Sequence, residues 1–478
     1  MGEPCDLAAV ELRRLIGRKA LSPVELLDSC VRRIERVDPA LNAIVASDFE
    51  AARGAAQAAE RAVMRAEALG PLHGLPVGIK DLHATKGLRT TWGSPLFADH
   101  VPEEDDPIVA SIRAAGGIVA AKTNTPEFGA GANTVNAVYG FTGNPFDPER
   151  SCGGSSGGSA VALAAGMVPL ATGSDLGGSL RIPAGYCGIV GYRSTPRLVP
   201  SPRKLTAWSP LTVDGPMARG VADLCLMLSA LVGTDPHDPL SRGAAGAEFA
   251  APAPADLSRL RVAVSEDLGF APVDDGVRAT FRDRVARFAG VFGACEPADP
   301  DLRGADEVFE VLRAVGFLAA YKDMVENTPD KVGPNVTANV KQGLTFSAAD
   351  VARAHVEHAA LYRRFLKFME RRDLLVCPVA AVPPIGKGRW YPEEINARPL
   401  KTYFAWIGIT YGITLTAHPV VVLPCGLDST GAPFGLQLVG RHGRDAELLG
   451  IAAALEAHLA TIPECRRPVP DLERLGNR

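Results

Sequence analysis

Ser151-Cys152-Gly153-Gly154-Ser155-Ser156-Gly157-Gly158-Ser159, followed by Asp175-Leu176-Gly177-Gly178-Ser179-Leu180-Arg181-Ile182-Pro183-Ala184, is the stretch on which the fold turns. Glycine admits positive φ and lets other groups approach the backbone closely. A serine wrapped in glycine therefore sits on bent, accessible chain. Two such serines in one short segment imply two hydroxyls that work together. The apolar run at 160–166 predicts a helix behind the first loop, and 168–172 predicts a strand feeding the second turn. Upstream, Leu75-Pro76-Val77-Gly78-Ile79 reads as a short buried strand ending at Lys80-Asp81. Residues 108–115 read as helix and 118–121 as strand, with Gly116-Gly117 as the break. This alternation predicts an α/β sheet with helices on its faces.

Further out, Ser22-Pro23-Val24-Glu25 is a capping box with proline at the first helical position. Leu26, Leu27, Cys30, Val31 and Ile34 come next at helical spacing, and Asp38-Pro39 ends that helix. Residues 49–69 predict a second helix, stopped by Gly70. The Ala/Pro/Gly/Asp-rich stretch 237–257 reads as a surface connection within one domain, and 301–372 is helical in pattern. Residues 380–400 are rich in proline and glycine and carry Trp390 and Tyr391. A loop that long predicts a lid or pocket wall. Residues 420–424 and 434–439 read as late strands of the same sheet.

The chain has 478 residues, 47% hydrophobic and 22% charged, as in a globular protein. A net charge of −4 gives no reason to expect nucleic-acid or membrane binding. The start of the chain shows no signal peptide, and nine scattered cysteines without C-x-x-C pairs read as reduced thiols of a cytoplasmic protein.

Taken singly, each candidate residue has a plain structural explanation. A lone GGS is most often a turn. Here Ser179 follows a predicted strand, and consecutive N–H groups in such a turn form a concave anion site suited to an oxyanion. Gly153-Gly154-Ser155-Ser156-Gly157 matches G-x-S-x-G, but Asp147-Pro148-Glu149-Arg150-Ser151 is not the buried strand that a nucleophile elbow requires. No phosphate-loop pattern is present. Lys80 ends an apolar run, so its amine is expected inside. Burial lowers a lysine pKa and makes a competent base, although most lysines are exposed. His355 and His358 lack the third ligand of a metal site, and His73 reads as a structural hydrogen-bonding residue.

Together, Gly78-Ile79-Lys80-Asp81, the 153–159 loop and the 175–184 turn resemble the amidase signature family, with Ser155 and Ser179 24 positions apart as that family's motif expects. The similarity extends to Leu72-His73-Gly74-Leu75-Pro76-Val77, Lys122-Thr123-Asn124, Gly143-Asn144-Pro145, Leu423-Pro424-Cys425-Gly426 and Gly435-Leu436-Gln437-Leu438-Val439-Gly440. It implies one large domain over 1–478 with a central mixed, twisted sheet covered by helices on both faces. The signature core spans about 70–215, a variable helical and substrate-loop region about 245–400, and a return to the sheet about 401–465.

The resemblance also implies Ser179 as nucleophile, Ser155 as bridging hydroxyl after a cis peptide bond, and Lys80 as base. Leu176, Gly177, Gly178 and Ser179 would supply the oxyanion hole. Ser156 and Ser159 would tie down the loop, and Asp175 and Arg181 would orient the turn as a charged pair. No cofactor or metal is expected. The partner is a small amide-type substrate, with a homodimer left open as the assembly. Leu176 stands where threonine is frequent, and Gly191-Tyr192-Arg193-Ser194-Thr195-Pro196-Arg197 departs from the common pattern. Both weaken a reading as the A-type subunit of a tRNA-dependent amidotransferase. Carbamate, acyl-hydrazide, indole-acetamide and cyclic-amide cleavage use the same machinery. Trp208, Trp390, Phe404, Trp406 and Tyr411 are candidate walls of an apolar pocket for an aryl or bulky acyl group.

Overall fold

The computed structural model describes residues 3–477. Eleven strands form one mixed sheet: β1 (Ile44–Ala46), β2 (Pro76–Lys80), β3 (Ile118–Thr123), β4 (Leu170–Asp175), β5 (Val190–Arg193), β6 (Val213–Ala218), β7 (Arg261–Val264), β8 (Ala294–Pro297), β9 (Leu374–Pro378), β10 (Val420–Leu427) and β11 (Pro433–Val439). Their order across the sheet is β1-β3-β2-β4-β6-β5-β10-β11-β9-β7-β8. The β3–β2–β4 and β9–β7–β8 neighbours run parallel, while β4, β6, β5, β10, β11 and β9 pair antiparallel in turn. The strands β2, β3, β4 and β6 are buried at every position, so their side chains face packed elements on both sides of the sheet.

The predicted helix starts are present in detail. Ser22 caps the Pro23–Val37 helix by accepting from Val24 N–H, and Glu25 accepts from Ser22 N–H at 3.0 Å. Such a cap contributes about 1 kcal/mol. Three boundaries differ from expectation. The second helix stops at Met64, not at Gly70, because Ala66 turns left-handed at φ 54°. The helix after the first glycine loop begins at Gly157, inside the loop itself, and β4 runs on to Asp175, so the strand delivers Asp175 directly into the second turn.

The 301–372 region forms three helices, Ala305–Asn327, Pro334–Gly343 and Ala348–Met369. Its long first helix packs on the Gly408–Thr414 helix and stands over the sheet end where both serine turns lie. The 237–257 connection is not wholly superficial, since Phe249 of its short Ala247–Ala250 helix is buried.

Candidate active site

β2 ends at Lys80, which is fully buried. Its Nζ lies 2.7 Å from Ser155 Oγ, 2.9 Å from Ser156 Oγ and 3.0 Å from Ser174 Oγ. Three hydroxyls and no carboxylate within ion-pair distance among the described residues suit a neutral amine, which has two N–H donors and one lone pair. Ser156 Oγ donates to the Ser174 carbonyl at 3.3 Å, so it accepts from Lys80 Nζ. Burial pushes the Lys80 ammonium well below the ordinary lysine range. Asp214 opposes that shift, and Lys204 reinforces it. The Gly154–Ser155 peptide is cis.

Ser179 sits in the turn after β4, and its carbonyl accepts from Ser156 N–H at 3.3 Å, tying the two loops together. Ser155 and Ser179 line one cavity. No hydrogen bond joins their hydroxyls in this resting geometry among the described residues.

Asp175 organises the turn. Its carboxylate accepts from Gly178 N–H at 2.9 Å and Leu180 N–H at 3.1 Å. Arg181 grips both oxygens, at 2.9 and 3.0 Å, and Arg193 adds a third contact at 3.1 Å. All three side chains are fully buried. Burial alone would raise the Asp175 carboxyl, but the two guanidinium groups hold it well below the usual carboxylate range. The expected Asp175–Arg181 pair is thus a triad with Arg193. Arg193 lies in the segment that departs from the family pattern, so motif reading passed it over. Thr410 Oγ1 donates to the Gly177 carbonyl at 2.5 Å, from a helix more than two hundred residues away in sequence, where no local signal marks it. Gly178 has φ 136°, and a methyl built on it would lie 2.5 Å from Thr410 Oγ1, so glycine is required there.

One expectation needs correction at this turn. The Gly178 N–H is engaged by Asp175, which removes it from the set of free donors. The N–H groups of Leu176, Gly177 and Ser179 donate to no other described residue. Ser159 ties its loop down as expected, bonding Thr123 Oγ1 and the Thr172 carbonyl.

The cavity has a volume of about 800 Å³. Phe404 and Trp406 line it; Trp208, Trp390 and Tyr411 do not. Trp208 is 76% exposed and Trp390 49% exposed, both on loops facing solvent. Tyr411 is one layer too deep, stacked at 4.2 Å behind Phe309 with its hydroxyl donating to Asp306. No residue of 380–400 reaches the cavity, so that loop is not its wall. The wall is the Ala305–Asn327 helix instead, through Phe309, Leu312, Gly316, Phe317 and Tyr321, facing Trp92, Phe97 and Phe128. A more polar end carries His83, Ser201, Lys204 and Asp214. His73 bonds the Ala59 carbonyl, and His358 the Leu415 carbonyl.

A family model described as Amidase matches residues 25–449. The chain belongs to the amidase family. It is a hydrolase of carbon–nitrogen bonds on the amidase signature fold. It is 35% identical over 455 residues to an acylamidase of Rhodococcus erythropolis, covering 94% of this chain and 95% of that one. It is 33% identical over 487 residues to the A-type subunit of the glutamyl-tRNA(Gln) amidotransferase of Anaeromyxobacter dehalogenans, covering 98% and 99%. Among solved structures, a bacterial aryl acylamidase of the amidase signature family superimposes with a TM-score of 0.88 at 26% identity, covering 96% of this amidase and 99% of that chain.

Proposed function

We propose that this amidase cleaves small non-peptide amides through Lys80, Ser155 and Ser179 and a Ser179 acyl-enzyme. The observation that carries the reading is the buried Lys80 amine surrounded by three serine hydroxyls with no carboxylate beside it. Burial favours the neutral form of such an amine, and a neutral amine can act as a base.

Lys80 takes the Ser155 proton as Ser155 takes the Ser179 proton. Ser179 Oγ bonds to the carbonyl carbon, and the oxygen's developing charge falls to the N–H groups of Leu176, Gly177 and Ser179. Each donor of that kind is worth about 10²–10³ in rate. As the tetrahedral intermediate collapses, the C–N bond breaks and the relayed proton returns to the leaving nitrogen. Water then attacks the ester carbon, the same path takes its proton, and the acyl–Oγ bond breaks as that proton returns to Ser179, which releases the acid. The Ser155–Ser179 leg forms when the Ser179 side chain rotates, since catalytic hydrogen bonds commonly tighten only on substrate binding.

The aromatic wall favours an aryl or bulky apolar amide. Carbamates, hydrazides and cyclic amides fit the same chemistry. Likeness to the amidotransferase component supports a second reading, in which a partner protein is needed. A panel of anilides, primary amides, carbamates and hydrazides with the purified chain alone separates these. Turnover of aryl amides without a partner is expected. Preference for short polar amides, or turnover only with a partner, would overturn the reading.

A further inference from the structure

Arg313, on the Ala305–Asn327 helix, lines the cavity and is 6% exposed. Its guanidinium donates to Asn339 Oδ1 and Tyr403 Oη, and its other N–H groups have no acceptor among the described residues. It lies over the rings of Phe317, Phe404 and Tyr403 at 4.8, 4.9 and 5.0 Å. The other buried arginines, Arg33, Arg181, Arg193 and Arg197, each have a carboxylate within 4.0 Å. Arg313 has none among the described residues. Burying an ion is costly unless its charge is met. Two neutral acceptors and the aromatic faces offset part of that cost. The charge itself is unanswered, and it opens onto the cavity that holds Ser155 and Ser179.

We infer that Arg313 anchors a carboxylate of the substrate. Resting on the amidase reading, this narrows the substrate to an amide with an apolar or aryl body and a carboxylate a few bonds from the scissile carbonyl. The guanidinium fork matches a carboxylate in a way that an ammonium does not. The distance is set by the helix. Phe309, one turn before Arg313, packs on the Ser179 turn, where a methyl built on Gly177 would lie 3.1 Å from its ring. One turn of four residues is about 6 Å of rise. The aromatic faces of Phe309 and Phe404, 5.8 Å apart, lie along that interval and suit the apolar linker, while Phe317 lies one turn beyond Arg313.

The carboxylate can belong to the acyl half or to the amine half, and two substrate pairs distinguish them. Glutaranilic acid and its methyl ester test the acyl half; N-butyryl-4-aminobenzoate and its methyl ester test the amine half. Binding is measured by calorimetry on full-length Ser179→Ala protein. The expected result is that the acid of one pair binds about tenfold or more tighter than its ester. The ratio collapses toward one in Arg313→Met, survives in part in Arg313→Lys, and falls as salt is added for the acid alone. A purely structural role for Arg313 would leave the acid-to-ester ratio unchanged. If neither acid outbinds its ester, or the preference persists in Arg313→Met, the inference is wrong. Should Arg313→Met not fold, the Arg313→Lys ratio and the salt dependence decide. Hydrolysis of these compounds by the wild-type protein is scored separately. Acid-selective, Arg313-dependent binding without any hydrolysis would sink the amidase reading and leave the anchor standing.

Discussion

Replacing Asp175 with asparagine changes one charge and almost no volume, and the contacts around the carboxylate set the size of the effect. That carboxylate meets two fully buried guanidinium groups and two backbone N–H groups. An amide neutralises neither arginine, and its own NH₂ faces a donor. Breaking a buried ion pair by removing one partner costs about 3–5 kcal/mol. At about 2.1 cal/mol/K per residue, a chain of this length has an unfolding entropy near 1 kcal/mol/K, so Tm should fall by about 3–5 °C. The same contacts set the Ser179 turn, so misplacing one oxyanion donor adds a loss of about 10²–10³ in kcat. Differential scanning calorimetry and steady-state turnover of an aryl amide read both quantities. Because the folded carboxyl is held below its unfolded pKa, its contribution to stability is complete above about pH 4. It is lost progressively as pH falls further, so the difference between wild type and Asp175→Asn should shrink in acid. An Asp175→Asn protein with wild-type Tm and kcat would refute the role given to this buried triad.

Ser179→Ala, Ser155→Ala and Lys80→Met should each lower kcat by about 10³ or more with the fold retained, as for side chains that act as a unit; circular dichroism and turnover check this. The kcat/KM profile should rise with pH through a lysine pKa well below its ordinary range and then flatten, since the deprotonated amine is the active form. Gly158→Ala should not fold stably, because a methyl there would lie 2.2 Å from the Asn124 backbone nitrogen, and soluble yield with thermal melting reports it.

The parts of the site that were legible in sequence are those set by local backbone chemistry. The glycine loops, the strand leading to Lys80 and the capping box all announce themselves within a few residues. Arg193 and Thr410 were not legible, because each reaches the serine turns only through sheet pairing or helix docking, and Ser174, though next to the second turn in sequence, meets Lys80 only because their strands lie side by side. The pocket failed for a related reason. Tryptophans are conspicuous in sequence, yet Trp208 and Trp390 lie on exposed loops. The actual wall comes from Phe309, Leu312 and Phe317, which follow an ordinary helical pattern indistinguishable from core packing. The long 380–400 loop likewise drew attention by composition while lying away from the cavity. Arg313 looks like any helical arginine until its missing counter-charge is seen in three dimensions.

The pH dependence of Ser179 modification by an aryl fluorophosphonate, followed by intact mass and peptide mapping, bears on the relay without reference to any substrate. The account predicts a single adduct on Ser179, formed at a rate that reaches its plateau well below the ordinary lysine pKa. That rate should drop by orders of magnitude in Lys80→Met and in Ser155→Ala. An adduct on another residue, or a Ser179 rate indifferent to Lys80, would contradict it.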